Sequence, residues 1–578
     1  MERRTKWFGL AAGLCGTLLL GDTRDAAACG CFAPPDPSVP VVQAGERIVF
    51  GESNGQVVAH IQIQYQGDAK QFGWILPLPA LPTKADGTPG IDLGSDELFT
   101  QILNKTQPKY RLNRIYPNAC APFGFANAAA PTAGAAGGAQ DKNASDGSSP
   151  LVIEESIGPY ETAVLHGDDK TEMLNWLNQH SYFIPTGTTD VVSQYTHPGA
   201  YFVAVKLLSG KSAGDLQPVV VRYASDLPMI PIVLTSVAAN PNMGIQVWVL
   251  GSARAIPRNY YHTVLNDAAI DWSTSGQNYN DVIIRAVNET PKHHTFVTEF
   301  AGPSSTMQGV LDPANRFGTQ SALQANTDPV QFVEYLLNNG FGISNGATGP
   351  GPVQRFGFSF SSAFLSVLGQ YIPVPQDLAN QGVTPTQFYS QISYYATTEQ
   401  AYFAGLKFDP VMAAADVWSR VVTPTLDAAK LFYNYNYLTR LYTTLSPEDM
   451  NEDPVFSFNP DLPAVDNVHQ ATLTYHCAWM GGIDDGTLLT ADGFTLDYPN
   501  GNPPATLPNM PATLRTEILR ESGPPQVVAD NQSAIDGDLG IGGCSVAPGA
   551  ASRGAGGFAL AILVGLGLVT RRRRGAAQ

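Results

Sequence analysis

The sequence predicts an α+β fold: a mainly antiparallel β-sheet ectodomain with one helix-rich segment, flanked by a signal peptide and a short transmembrane tail. Three observations carry this. Val57, Ala59, Ile61, Ile63 and Tyr65 alternate with polar residues, the period of a half-buried strand. From about residue 328 the apolar spacing changes to that of helices, as in Val330, Val333 and Leu337. The 578 residues are 44% hydrophobic, 10% aromatic and only 14% charged, enough apolar mass for a large core and the opposite of a disordered chain.

In chain order, residues 46–50 and 56–65 read as two strands joined by 51–55, and residues 72–76 continue the β pattern until Pro77, Pro79 and Pro82. Residues 93–104 read as a short helix. The stretch 127–150 is almost wholly small and polar, a low-complexity insertion. Asp168 and Asp169 suit a helix N-terminus, with Met173, Leu174 and Leu177 on its apolar face. Residues 201–207, 219–223, 230–234, 244–250 and 294–300 read as strands. The helix-rich part, 328–445, opens at Asp328-Pro329 and includes helices at 411–422 and 424–445, split at Thr423-Pro424. Strands return over 472–498, with turns at Asp485-Gly486 and Asp492-Gly493, and the Pro-, Asn- and Gly-rich 499–543 reads as a flexible tether.

Both ends point to export. Arg3, Arg4 and Lys6 precede an apolar run and the small residues Ala26, Ala27 and Ala28, so residues 1–28 read as a signal peptide and the exported body as 29–498. At the other end Gly543-Cys544-Ser545 precedes an uncharged segment, 554–570, and then Arg571, Arg572, Arg573 and Arg574, which the positive-inside rule keeps cytoplasmic. The segment 544–578 resembles the myxobacterial C-terminal sorting tail. That resemblance implies cleavage near Cys544, modification of this cysteine and display at the surface of a Gram-negative cell. The alternative is a retained single-pass anchor. Without both ends the chain holds 24 basic and 47 acidic residues, a balance of −23 against −17 for the whole, which excludes a nucleic-acid partner.

Cys15 leaves with the signal and Cys544 is the expected anchor. The disulfide candidates are therefore Cys29, Cys31, Cys120 and Cys477. A Cys29–Cys31 bridge would strain a very short loop, so each is expected to reach one of Cys120 and Cys477. The alternative is a metal site of Cys29, Cys31, His476 and Cys477, which lacks any Cys-x-x-Cys pair.

No catalytic set assembles from spacing. Gly51-Glu52-Ser53-Asn54-Gly55 matches the G-x-S-x-G string, with His60 nearby, but a strand follows it, so it reads as a hairpin turn rather than a nucleophile elbow. His293 and His294 are adjacent, which on a strand start points them apart, and they read as surface residues. Asp449, Asn451 and Asp453 have the spacing that opens a calcium loop, but Pro454 and Pro460 stand where its glycine and glutamate belong. Asp484 and Asp485 read as turn residues. Tyr433, Tyr435, Tyr437 and Tyr442 would stack on sugar rings if exposed and fill a core if buried. Trp176, Trp248 and Trp418 pose the same choice. With no P-loop and no dinucleotide fingerprint, no cofactor, metal or catalytic residue is assigned.

Gln43-Ala44-Gly45-Glu46-Arg47-Ile48-Val49-Phe50, Ile157-Gly158-Pro159-Tyr160-Glu161, Thr298-Glu299-Phe300 and Leu438-Thr439-Arg440-Leu441-Tyr442, in this order, resemble a bacterial exported family, the domain of unknown function 2330. Cys29-Gly30-Cys31 and Asp453-Pro454-Val455-Phe456 belong to the same series. The resemblance spans roughly 29–498 and implies no activity. The sequence thus leads to a non-enzymatic surface protein that binds an extracellular polymer or a surface partner and meets the membrane through its tail or a lipid-modified Cys544. An exported hydrolase with an unfamiliar carboxylate site and a calcium-stabilised adhesin are the alternatives.

Overall fold

The computed structural model describes residues 42–66, 73–116, 150–182, 191–208, 216–314, 316–344, 358–477, 483–504 and 509–540. The signal peptide, Cys29, Cys31, Cys120, the insertion up to residue 149, Cys544 and the tail lie outside them. No helix among the described residues is long and apolar enough to cross a membrane.

The strands are β1 (Val42–Ser53), β2 (Gln56–Gln66), β3 (Gly73–Leu78), β4 (Asp92–Leu93), β5 (Lys109–Ile115), β6 (Leu151–Ile157), β7 (Tyr160–His166) and β8 (Tyr201–Leu207). They continue as β9 (Val219–Ala224), β10 (Ala239–Gly251), β11 (Arg254–Pro257), β12 (Tyr261–Leu265), β13 (Thr295–Pro303), β14 (Ile343–Ser344), β15 (Phe358–Ser359) and β16 (Tyr437–Leu445). The last are β17 (Phe456–Asn459), β18 (Val468–Cys477), β19 (Ile483–Leu489), β20 (Thr495–Pro499), β21 (Thr513–Ile518) and β22 (Gln526–Asp530). A ten-stranded sheet runs β22-β21-β12-β13-β16-β10-β1-β2-β9-β4. Most neighbours are antiparallel; β1–β10 and β12–β13 are parallel, as is β5–β18 in a second sheet, β20-β19-β18-β5.

Strand alternation builds the layers. Ile48, Phe50, Val247 and Val249 face the four-stranded sheet β3-β8-β7-β6, meeting Trp74, Leu76, Val203 and Val205 in one core. Val49, Trp248 and Leu250 point the other way, against Leu98, Phe99 and Ile102 of the helix Asp96–Thr106 and Phe432 of the helix Thr423–Asn434. The outer face of the four-stranded sheet packs Leu165 and Phe202 on Met173, Trp176 and Leu177 of the helix Lys170–Gln179. The result is four layers, helix, sheet, sheet, helix. A separate apolar cluster around Phe332, Phe364 and Phe388 holds the helices between residues 320 and 422.

Local signals behave as their chemistry dictates. Asp169 and Asp328 cap their helices, each accepting from two free backbone amides, and Gly340 takes φ +78° just past a helix end. Asn54 and Gly55, both at positive φ, make the β1–β2 hairpin turn.

Four sequence expectations are corrected. Residues 437–445 are a central strand, not helix: Leu438, Leu441 and Leu445 have helical spacing, but β16 is buried on both faces, Leu438 toward the helices and Leu441 and Leu445 between the sheets, and the threonines favour the pleat. The helix does not break at Thr423-Pro424; a π turn at Trp418–Val422 joins Pro410–Val417 to Thr423–Asn434, widening the backbone where Pro424 removes an amide. Residues 230–234 hold the start of a short helix, Ile232–Thr235, after Pro231. The expected tether carries β21, β22 and the helix Gln532–Asp538, with β21 inserted beside β12. Its Pro and Gly residues mark turns between short elements. In addition, Gly486 pairs within β19 instead of forming a turn.

Cys477 is disulfide-bonded, and its partner lies outside the described residues. Parallel pairing brings Ile115 opposite Thr474, and Tyr116 stacks on Tyr475 with ring centroids 4.5 Å apart. Cys120 follows Tyr116 by four residues, a reach of at most about 14 Å. This replaces the pairing expected from sequence, in which Cys477 reaches Cys29 or Cys31: non-reduced peptide mapping is expected to link Cys477 to Cys120, and a Cys477 peptide joined to Cys29 or Cys31 would refute this.

Candidate functional site

Four strands bring charged side chains to the helix-facing side of the ten-stranded sheet. Arg47 stands opposite Gln246, Gln246 opposite Tyr442, and Trp248 opposite Arg440. Between Thr298 and Phe300 the β13–β16 register slips, leaving Glu299 as an extra, unpaired bulge residue. The pairing of Val297 with Tyr442 and Thr298 with Leu441 already carries residue 299 to Arg440, and the extra residue brings Phe300 to the same partner.

The Glu299 carboxylate is a hub. Oε2 accepts from Arg440 Nε and from Gln246 Nε2 at 3.0 Å, and Oε1 accepts from the Tyr279 hydroxyl at 2.7 Å. Side-chain exposure is 1% for Glu299 and 5% for Arg440, so this is a buried ion pair. The Arg440 guanidinium lies 5.3 Å from the Trp248 ring centroid, and its Nη1 donates to Thr106 Oγ1 at 3.3 Å. Trp248 Nε1 donates to the same Thr106 oxygen at 2.9 Å.

Above this pair opens a cleft of about 520 Å³ whose wall includes Arg47, Tyr110, Tyr279, Glu299, Arg440 and Tyr442. Two glycines make room for the rings. A Cβ on Gly244 would stand 2.8 Å from the Tyr442 hydroxyl, and Gly276, at φ +80°, lies against Tyr110. Tyr442 donates to Asn280 Oδ1 at 3.0 Å. Burial pushes the Tyr442 phenol up to about 12, the Glu299 charge adding to it, and raises Tyr110 and Tyr279 further, so all three stay neutral donors.

Arg47 differs from Arg440. It donates to the neutral Gln62 Oε1 at 3.2 Å, and among the described residues no carboxylate lies within ion-pair distance of it. Burial, and next the Arg440 charge, lower its pKa. Its positive charge therefore faces the cleft uncompensated by an acid.

The residues weighed from sequence are placed elsewhere. Ser53 ends β1 at an exposed turn, its Oγ accepting from Asn54. His60 is buried in β2, held near 3 by burial and then by the Arg222 charge, and forms no triad with Ser53. His293 pairs with Asp449 at 2.9 Å. His294 is not at the surface as expected: it is 2% exposed and stacked on Tyr260, because the turn before β13 folds it inward. Asp449 is thus committed to His293, while Asp453 accepts from the Tyr195 hydroxyl and from Val233 N at 2.9 Å. The two carboxylates serve separate partners, and no group of three or more His, Cys, Asp or Glu residues suited to a metal occurs among the described residues. Tyr433 is exposed, whereas Tyr442 lines the cleft.

A second acidic cluster adjoins the cleft behind Tyr110. Asp267 is pushed up to about 7 by burial and then by Asp492, which burial also raises. His469 Nδ1 lies 3.9 Å from Asp267 and its ring stacks on Tyr110 at 4.7 Å. Neither aspartate lines the cleft.

Arg47, Glu299 and Arg440 were not singled out as site residues from sequence. The available signal was a charge inside each apolar strand pattern: Glu-Arg-Ile-Val-Phe, Thr-Glu-Phe and Leu-Thr-Arg-Leu-Tyr. A charge there must be paired or face a polar space.

Fold and site together define a layered α+β protein with a polar, tyrosine-walled cleft over a buried ion pair. The chain belongs to the domain of unknown function 2330 family, described as an uncharacterized protein conserved in bacteria, whose model matches residues 24–348. Arg47 and Glu299 fall within the matched residues; Arg440 and Tyr442 lie beyond them. Comparison with curated proteins and with solved structures finds no match.

Glu299→Gln leaves the Arg440 charge buried without its anion. It is expected to destabilise by about 3–5 kcal/mol, read as a lower urea midpoint at unchanged slope; an unchanged midpoint would show that the pair is dispensable. Asp267 sets a pH dependence. Its folded pKa lies above the unfolded value, so its contribution favours folding at low pH and is lost as pH rises from about 4 through 7. The stability of Asp267→Asn relative to the parent is expected to climb over that window by roughly 1 kcal/mol per pH unit. A flat difference in melting temperature from pH 4 to 8 would contradict it.

Proposed function

We propose that this chain is an exported, surface-displayed binding protein whose cleft takes a small anionic ligand, a carboxylate-bearing sugar of an extracellular polymer. The observation that carries the proposal is the Arg47 guanidinium, half-buried in a polar cleft with no ion-pair partner among the described residues, in a strongly acidic protein. An anion bound there would offset the repulsion between Arg47 and Arg440. The rings of Tyr110, Tyr279 and Tyr442 supply faces suited to a sugar, and the Tyr279 and Tyr442 oxygens, whose protons go to Glu299 and Asn280, supply acceptors. Residues 1–28 would direct export, and Cys544 with the 554–570 segment and its four arginines would hold the body at the cell surface.

The hydrolase alternative needs two available carboxylates at the reacting bond. In the cleft Glu299 is already engaged by three donors. The Asp267–Asp492 pair has the raised pKa values that acid catalysis uses, but it stands behind the tyrosine wall. The adhesin alternative draws its support from Asp449 and Asp453, whose carboxylates are engaged by His293 and by Tyr195.

Titration calorimetry with glucuronate and galacturonate, against glucose and galactose, tests the binding reading. The uronates are expected to bind and the neutral sugars to bind at least tenfold more weakly, with affinity falling as salt rises. Arg47→Gln is expected to abolish that preference at an unchanged melting temperature. Equal binding of charged and neutral sugars, or a variant that binds like the parent, would refute it.

A further inference from the structure

The opposite face of β1 borders a different space. Between the ten-stranded sheet and the four-stranded sheet lies a cavity of about 390 Å³, lined by Ile48, Phe50, Ile61, Leu76 and Leu78 among other apolar side chains. Protein interiors are packed to the density of organic crystals, with few voids larger than a water molecule. A space of this size falls in the range of small-molecule sites.

Its polar groups are few and placed along its length. The lining runs along β1 from Glu46 to Phe50, about 13 Å of strand. The Glu46 carboxylate, 3% exposed, stands at one end. At the other, beside the β1–β2 hairpin, are Tyr223 and the rim residues Ser225 and Asp226. Tyr223 is 6% exposed and lines the cavity. Burial alone raises its pKa, so it remains a neutral O–H able both to donate and to accept. A ligand hydroxyl or amine at that end of the cavity would meet the phenol as its donor or acceptor.

We propose that this inter-sheet cavity binds an elongated apolar molecule with a hydroxyl or amine head, and discriminates against fatty carboxylates. The apolar walls take the chain, and Tyr223 pairs with the head. Asp226 at the rim repels a carboxylate head and favours a neutral or cationic group. Glu46 borders both spaces, but the apolar walls of this cavity and the Arg47 side chain lie on opposite faces of β1.

The test uses the purified protein and a neutral naphthylamine dye that fluoresces in apolar surroundings, displaced by dodecan-1-ol, dodecylamine or dodecanoate. Saturable one-to-one dye binding is expected. The alcohol and the amine should displace the dye at least tenfold more effectively than the carboxylate. Ala59, 2% exposed and on the cavity wall, offers the blocking variant: Ala59→Leu should cut dye affinity at least tenfold while uronate binding at the Arg47 cleft is kept. If Ala59→Leu fails to fold, Tyr223→Phe should weaken dodecanol several-fold and leave dodecane-like displacement unchanged. Absence of saturable dye binding, dodecanoate as effective as dodecanol, or a folded Ala59→Leu that binds like the parent would each overturn the proposal.

Discussion

The structure depends on three strands meeting at the centre of one sheet. β1 pairs in parallel with β10 and antiparallel with β2, and β10 pairs with β16 over nine consecutive residues. These strands begin at residues 42, 239 and 437, so each contact closes a loop of nearly two hundred residues. The entropy of closure grows only slowly with length, and burial on both faces repays it. Everything else attaches to this centre: the four-stranded sheet to one face, the helices to the other, and the C-terminal strands β21 and β22 to one edge. A chain fragment that lacks any of the three strands lacks the centre of both cores.

Much of that framework was legible in the sequence. Alternation located β1, β2, β8, β9, β10 and β13 to within a few residues, because a strand buried on at least one face must repeat with period two. Capping located the helices that start after Asp169 and Asp328. What failed had physical causes. Leu438, Leu441 and Leu445 have helical spacing and fall on both faces of a strand buried on each side, and only the neighbouring strands β10 and β13 decide for the pleat. Residues 513–530 form strands too short to show a pattern against the Pro and Gly turns around them. Parallel pairing of β1 with β10 leaves no local trace, since it is set by the fold and not by a turn.

The candidate site was legible only in part. Its residues lie in strings already conspicuous for their order, yet none forms a motif, because the chemistry is assembled from β1, β10, β13 and β16 rather than from one loop. Glu299 is the decisive residue. The register that pairs Thr298 with Leu441 carries it to Arg440, where a buried guanidinium without an acid would be expensive. There Glu299 neutralises Arg440 and leaves the charge of Arg47 as the one that faces the cleft from β1.

A bulge in β1 itself settles which cavity receives which charge. Gln43 pairs with Tyr65 and Gly45 with Gln64, so one extra β1 residue enters between them. Downstream of that slip Glu46 faces the apolar space between the sheets and Arg47 faces the polar cleft. Strand period is two, so a one-residue change of register exchanges the faces of every side chain beyond it. The exchanged arrangement would drive Arg47 into the space between the sheets, against Leu76, and turn Ile48 and Phe50 toward the polar cleft. The apolar core therefore selects the observed register. The two cavities, on opposite faces of one strand, are fixed by a single local irregularity.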